Sequence, residues 1–238
     1  MTVSRIGIIG AMDEEIQEFL SHAEVTKTVE WKIFRIHEAN LFGVPVVVMK
    51  CGVGKVFASL ITQHIIDAYH PSAILSTGVA GALSKNLAIG DVVVSRDCAQ
   101  HDMDARALGF ERGSIPYTDF RFFKADEALA KLAMSADLET RDHKIVSGRI
   151  LTGDQFISGD RENSHGHLTG ELAGDAVDME SAAIAQVCSI HETPFVSVRT
   201  ISDYADHSAH IDFNAFLPVV ASNSFHIIRK VLLGISRQ

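Results

Sequence analysis

Three acidic side chains stand where an α/β chain presents groups to a ligand. Glu15 lies in Gly10-Ala11-Met12-Asp13-Glu14-Glu15-Ile16, Glu180 in Ala176-Val177-Asp178-Met179-Glu180-Ser181, and Asp203 in Arg199-Thr200-Ile201-Ser202-Asp203. Carboxyl groups at such places do proton-transfer work or accept from sugar hydroxyls. Each also has a plain structural explanation. Asp13, Glu14 and Glu15 would complement a helix dipole. On a helical wheel Met12, Ile16, Phe19 and Leu20 form the apolar stripe, Glu14 points away, and Asp13 and Glu15 flank the stripe, which leaves those two undecided. Glu180 and Asp178 sit inside a run apolar enough to be buried, where an unpaired carboxylate costs several kcal/mol. Either Glu180 caps the next helix with Asp178 in a salt bridge, or a bound sugar satisfies Glu180. Asp203 suits a general acid at a strand end, and equally a Ser-Asp cap.

Two glycine-rich segments could bring backbone close to a ligand. Lys50-Cys51-Gly52-Val53-Gly54-Lys55-Val56 reads as a turn between strand and helix, and Ser76-Thr77-Gly78-Val79-Ala80-Gly81-Ala82 as a small-residue turn after a buried strand. Neither is a phosphate loop, because Lys55 is followed by Val and the Walker spacing is not met. The dinucleotide pattern is also absent, and the acids after the first apolar run would repel a pyrophosphate. The pairs His165/His167 and His207/His210 lack a Cys or carboxylate at ligand spacing, so no metal is expected. No Gly-x-Ser-x-Gly elbow supports a covalent hydrolase.

Strand-length apolar runs alternate with helical patterns along the whole chain, the mark of a mostly parallel sheet flanked by helices. Strands are predicted at Arg5–Ile9, Pro45–Lys50, Ala73–Ser76, Asp91–Ser95, Lys144–Ser147 and Pro194–Thr200. Helices are predicted at Asp13–Leu20, Val56–Ala68, Ala125–Ser135, Ser181–His191 and Phe213–Leu233. In such sheets ligands sit beyond the carboxyl ends of the strands, which is where the segments above fall. No linker, repeat or charge block divides the sequence, so residues 1–238 are expected to form one domain.

With 238 residues, 47% of them hydrophobic, the chain has material for a full core. No stretch approaches the ~18 continuous apolar residues of a membrane span, and the start lacks the pattern of a signal peptide. Three widely spaced cysteines, Cys51, Cys98 and Cys188, fit reduced thiols in a cytoplasmic protein. A net charge of −9 speaks against a nucleic-acid partner and for a small neutral or cationic ligand.

Taken together, seven stretches resemble the nucleoside phosphorylase/hydrolase superfamily, and within it the 5'-methylthioadenosine/S-adenosylhomocysteine nucleosidases. They are Ile8-Ile9-Gly10-Ala11-Met12-x-Glu14-Glu15, Gly52-Val53-Gly54-Lys55-Val56, Thr77-Gly78-x-Ala80-Gly81, Gly90-Asp91-Val92-Val93, Thr152-Gly153-Asp154-Gln155-Phe156-Ile157, Val177-x-Met179-Glu180 and Arg199-x-Ile201-Ser202-Asp203. The resemblance implies a single-domain three-layer α/β/α fold with a twisted mixed, mostly parallel central sheet. It implies hydrolysis of an adenine nucleoside with a sulfur-linked 5'-group, with no cofactor. By the same resemblance Asp203 protonates the purine, Glu15 activates water with help from Arg199, and Glu180 and Met179 hold the ribose. Phe156 stacks on the base, the Ile157 backbone reads its edge, and Val79 stands beside the water. Met12, Val53 and Phe213 line a 5'-pocket completed by Leu108 and Pro116 of a second subunit in a homodimer.

The sequence departs from the family pattern in places. Position 79 is Val where many members carry Ser, position 178 is Asp where Glu is common, and Leu108 replaces a frequent aromatic residue. The loop Ile115-Pro116-Tyr117-Thr118-Asp119-Phe120-Arg121-Phe122-Phe123 also differs. Arg106, Arg112 or Arg121 near the 5'-pocket would admit a carboxylated substituent, such as homocysteine or a futalosine-type group. Two rival readings are a phosphorylase of the same fold, which needs an arginine-lined anion site, and a nucleoside-binding sensor without catalysis.

Overall fold

The structure is a computed structural model that describes residues 5–138, 142–159 and 165–236. Four strands form its spine: β1 (Ile6–Gly10), β4 (Val44–Lys50), β5 (Ala73–Ala82) and β10 (Phe195–Asp203). They lie side by side and parallel in the order β4-β1-β5-β10. All four are buried almost throughout because both faces of the sheet are covered; β1, β4 and the first halves of β5 and β10 are mainly apolar, and polar groups enter toward the ends of β5 and β10.

One face packs on α2 (Lys55–Tyr69) and α4 (Ser181–Ile190), through residues such as Ile61, Ile65, Ala182 and Ile184. The other packs on α1 (Asp13–His22), α3 (Glu127–Met134) and α5 (Ala209–Ile235), through Phe19, Leu129, Phe225 and Ile228. Two cores on opposite sides of one sheet make the three-layer α/β/α arrangement. Among the described residues, no helix is long and apolar enough to cross a membrane.

Beyond β10 the sheet curls back. β6 (Val92–Gln100) pairs antiparallel with β10, then parallel with β8 (Ile145–Thr152), which pairs with the short β9 (Ala176–Asp178). β9 returns to the end of β5, with Gly81 opposite Val177, so β5-β10-β6-β8-β9 closes into a ring. That closure carries the distal ends of β5, β9 and β10 to one place, although their residues are far apart in the chain.

The predicted strands and helices are all present, and several run longer. The segment Ser76–Ala82, expected as a turn, is the second half of β5 and wholly buried. Its residues are small for a different reason. A Cβ at Gly78 would sit 2.5 Å from Glu15 Oε1, and one at Gly81 2.8 Å from Asp203 Oδ1, so the strand is bare where two carboxylates rest on it. The hairpin β2 (Glu24–Trp31) and β3 (Phe34–Leu41) was not foreseen; β2 is mostly exposed, and Lys27 interrupts the alternation of Val25, Val29 and Trp31 with polar residues. β7 (Phe123–Lys124) and β9 are too short to carry a periodic signal.

Candidate active site

A cavity of about 160 Å³ lies at the ring's distal end. Met12, Glu15, Val53, Val79, Phe156, Ile157, Met179, Glu180, Asp203 and Phe213 line it together, joined by Ala11, Ala80, Gly81, Gln155, Val177, Asp178 and Ser202. Mainly apolar walls with a few convergent polar groups are the usual form of a small-molecule site.

Glu15 is seated by backbone. Its Oε2 accepts from the N–H groups of Ala11 at 2.6 Å and Met12 at 3.0 Å, and its Oε1 from Val79 at 3.1 Å. Asp13, its rival on the helical wheel, faces solvent and pairs with Lys50 Nζ at 2.6 Å. Burial raises the pKa of Glu15, while the Arg199 cation and the three N–H donors pull the other way.

The Asp178/Glu180 pair divides its duties. Asp178 is the structural member: it accepts from Thr152 Oγ1 at 2.6 Å, from Ser181 N at 3.1 Å, from the Ser181 hydroxyl, and from Arg199 Nε at 2.8 Å. Glu180 occupies the N-cap position of α4, yet its side chain makes no cap bond there. Its Oε1 instead accepts from Gly54 N at 2.9 Å, in the turn before α2. Burial, reinforced by the Asp178 charge, raises the Glu180 pKa.

Asp203 ends β10, where the register with β5 shifts between Ile201 and Asp203. Such a bulge re-aims side chains, and both Ser202 and Asp203 reach the cavity. The Ser202 hydroxyl donates to Asp203 Oδ2 at 2.8 Å, and Ala205 N donates to Oδ1 at 2.9 Å. Burial raises this carboxyl's pKa, against those two donors. A carboxyl so held keeps its proton to higher pH than a solvated one, as a proton donor requires.

Arg199 lies apart from the cavity, and Leu108 and Pro116, expected from a second subunit, do not line the chain's own cavity. Arg199 is 2% exposed and sits behind the cavity wall, tied to Asp178 rather than lining the space. Leu108, in the 3₁₀ turn Arg106–Leu108, is 68% exposed, and Pro116 is likewise outside the lining. The arginines expected to offer a cation are engaged: Arg106 with Asp104, Arg112 with Asp104 and Glu171, and Arg121 with Glu111. Ser202, Gln155 and Ala80 were not foreseen as lining residues; Ser202 was hidden because the bulge leaves no mark in sequence. Among the described residues, no group of three or more His, Cys, Asp or Glu could hold a metal ion.

Fold and cavity define a class, and residues 5–233 match the family described as the phosphorylase superfamily. A 5'-methylthioadenosine/S-adenosylhomocysteine nucleosidase of Glaesserella parasuis is 36% identical over 96% of this chain and 98% of its own length. The nucleosidase of that name from Colwellia psychrerythraea, solved with adenine, superposes with a TM-score of 0.91 at 33% identity, covering 97% of this chain and 95% of that one. A futalosine hydrolase of Helicobacter pylori superposes at 0.90 with 32% identity, covering 98% of each chain. The chain belongs to the 5'-methylthioadenosine/S-adenosylhomocysteine nucleosidase family of the phosphorylase superfamily.

Proposed function

We propose that this protein is a hydrolase that cleaves the N-glycosidic bond of 5'-methylthioadenosine and S-adenosylhomocysteine and releases adenine. The observation that carries the reading is the convergence of Glu15, Glu180 and Asp203 on one cavity, with no Lys or Arg among its lining residues. An acidic cavity disfavours phosphate as the attacking group and suits water. In this reading Asp203 gives its proton to the purine and makes adenine a neutral leaving group. Glu15, fixed by three backbone donors, orients water and takes its proton from the other side. Glu180 accepts from the ribose hydroxyls beside Met179 and stabilises positive charge on the sugar as the bond breaks. Phe156, 47% exposed and in edge-to-face contact with Phe213 at 5.7 Å, covers the base, and the Ile157 backbone reads its edge.

Arg199 acts at one remove, its charge lowering the Glu15 pKa from behind the wall. Leu108 and Pro116 are proposed to complete the 5'-pocket of a second copy in a homodimer, which fits the exposure of Leu108 in the single chain. Three free, buried cysteines suit the reducing cytoplasm.

The similarity to a futalosine hydrolase supports a second reading of the same reaction with a different 5'-group. Adenine release in phosphate-free buffer from methylthioadenosine, S-adenosylhomocysteine, 5'-deoxyadenosine and aminodeoxyfutalosine ranks the two. Binding of all four without release would leave a sensor, and dependence on added phosphate would make the protein a phosphorylase.

A further inference from the structure

Lys55 is the one charged side chain of the Gly52-Val53-Gly54-Lys55 segment, and the chemistry above leaves it without a task. It opens α2 and does not line the cavity. Its backbone N–H donates to Asp154 Oδ1 at 2.8 Å. Its ammonium reaches across to Asp102 Oδ1 at 2.7 Å and Gln100 Oε1 at 3.0 Å. Asp102 Oδ2 in turn accepts from Asp154 N at 3.0 Å, which closes a cycle of Lys55, Asp102 and Asp154. Gln100 extends it to α4 through Gln186 at 2.5 Å.

The cycle joins three walls of the cavity. Asp154 begins the segment that carries Phe156 and Ile157, Gly54 holds Glu180 by its N–H, and Val53 lines the rim. The Lys55 and Asp102 side chains are only 19% and 23% exposed, so the pair is shielded from the screening that weakens surface ion pairs. We propose that Lys55 is a positioning residue whose bridge to Asp102 sets the spacing between the base-covering segment Gly153–Ile157 and the ribose-facing Glu180, and so sets nucleoside affinity. A displaced wall weakens ground-state binding, which appears in KM and Kd, and misplaces Glu180 relative to the charge that develops on the sugar, which lowers kcat as well.

The inference rests on the proposed reaction for its kinetic readout, so affinity for adenine is measured by titration calorimetry beside turnover of methylthioadenosine. Lys55→Met should raise KM and Kd about tenfold and lower kcat by a smaller factor, and Lys55→Arg should recover part of both losses. Lys55→Met also strands the Asp102 charge, so the decisive variant is Lys55→Met with Asp102→Asn, which removes charge and bridge together. The double variant should melt nearer to wild type than Lys55→Met does while keeping the weakened affinity. A return of affinity to wild type in the double variant overturns the proposal, as does unchanged KM and Kd in Lys55→Met. A wild-type protein that binds these ligands without releasing adenine defeats the hydrolytic reading instead, and Lys55 is then judged on Kd.

Discussion

Arg199 Nε stands 2.8 Å from Asp178 Oδ2, with the two side chains 3% and 1% exposed. This pair explains how a chain buries several carboxylates around one cavity. Asp178 takes the cation together with the Ser181 and Thr152 donors, and Glu180 is left with a single backbone donor, Gly54, among the bonds described. One acid is thus spent on structure, and the next keeps capacity for a ligand.

Removing one member of this pair should be costly. Arg199→Met leaves the Asp178 charge buried without its cation, and the loss of stability should be about 3–5 kcal/mol by urea denaturation. Arg199→Met combined with Asp178→Asn should restore part of that loss. Equal stability of Arg199→Met and wild type would show that the pair contributes little.

Asp203→Asn keeps the shape of the side chain and loses the transferable proton. Turnover should fall by roughly 10²–10⁴-fold while the melting temperature stays within a few degrees. Wild-type kcat in this variant would remove Asp203 from proton transfer.

Gly78→Ala and Gly81→Ala test whether bare backbone in β5 is there for the carboxylates. The added methyl would press on Glu15 in the first, where a φ of +154° adds backbone strain, and on Asp203 and the Ala205 methyl in the second. Each should lower kcat more than tenfold, by about 1.4 kcal/mol or more of barrier, without loss of secondary structure by circular dichroism. Undiminished kcat in both would mean that the carboxylates accommodate a methyl without changing their chemistry.

Burial raises the pKa of Glu15, Glu180 and Asp203 in the folded protein. For a carboxyl raised on folding, its contribution to stability is fully present below the unfolded-state pKa and is lost as pH rises through the folded value. Glu180→Gln removes that titration, so its melting temperature relative to wild type should increase as pH climbs from 4 through the folded-state range, moving about 2–4 °C for each kcal/mol relieved. A constant difference between variant and wild type across pH would contradict the raised pKa.

Much of the site was legible without coordinates because its chemistry needs particular side chains in particular local settings. Carboxylates after buried apolar runs, the Lys50–Val56 turn and the strand–helix alternation are short-range features. What each acid does was not local. Asp13 and Glu15 were equivalent on a helical wheel, and only the approach of Val79 N–H and the contact of Asp13 with Lys50 separated them. The cap that one of the two readings gave to Glu180 belongs to Asp178, which also takes the Arg199 cation from β10. Arg199 itself was placed at the water, and the fold puts it behind the wall.

By itself, then, the sequence determined the order of the main strands and helices, their buried faces and the inventory of acidic groups, since these follow from hydrophobic periodicity and residue type. The tertiary structure decided that β5 continues past Ser76, that a bulge turns Ser202 and Asp203 toward the cavity, and that closure of β5-β10-β6-β8-β9 brings Glu180 and Asp203 to the end of β5, where Glu15 arrives from α1. Those outcomes depend on strand register and on contacts between residues a hundred or more positions apart, such as Gly54 with Glu180. No window of sequence contains both partners of such a contact.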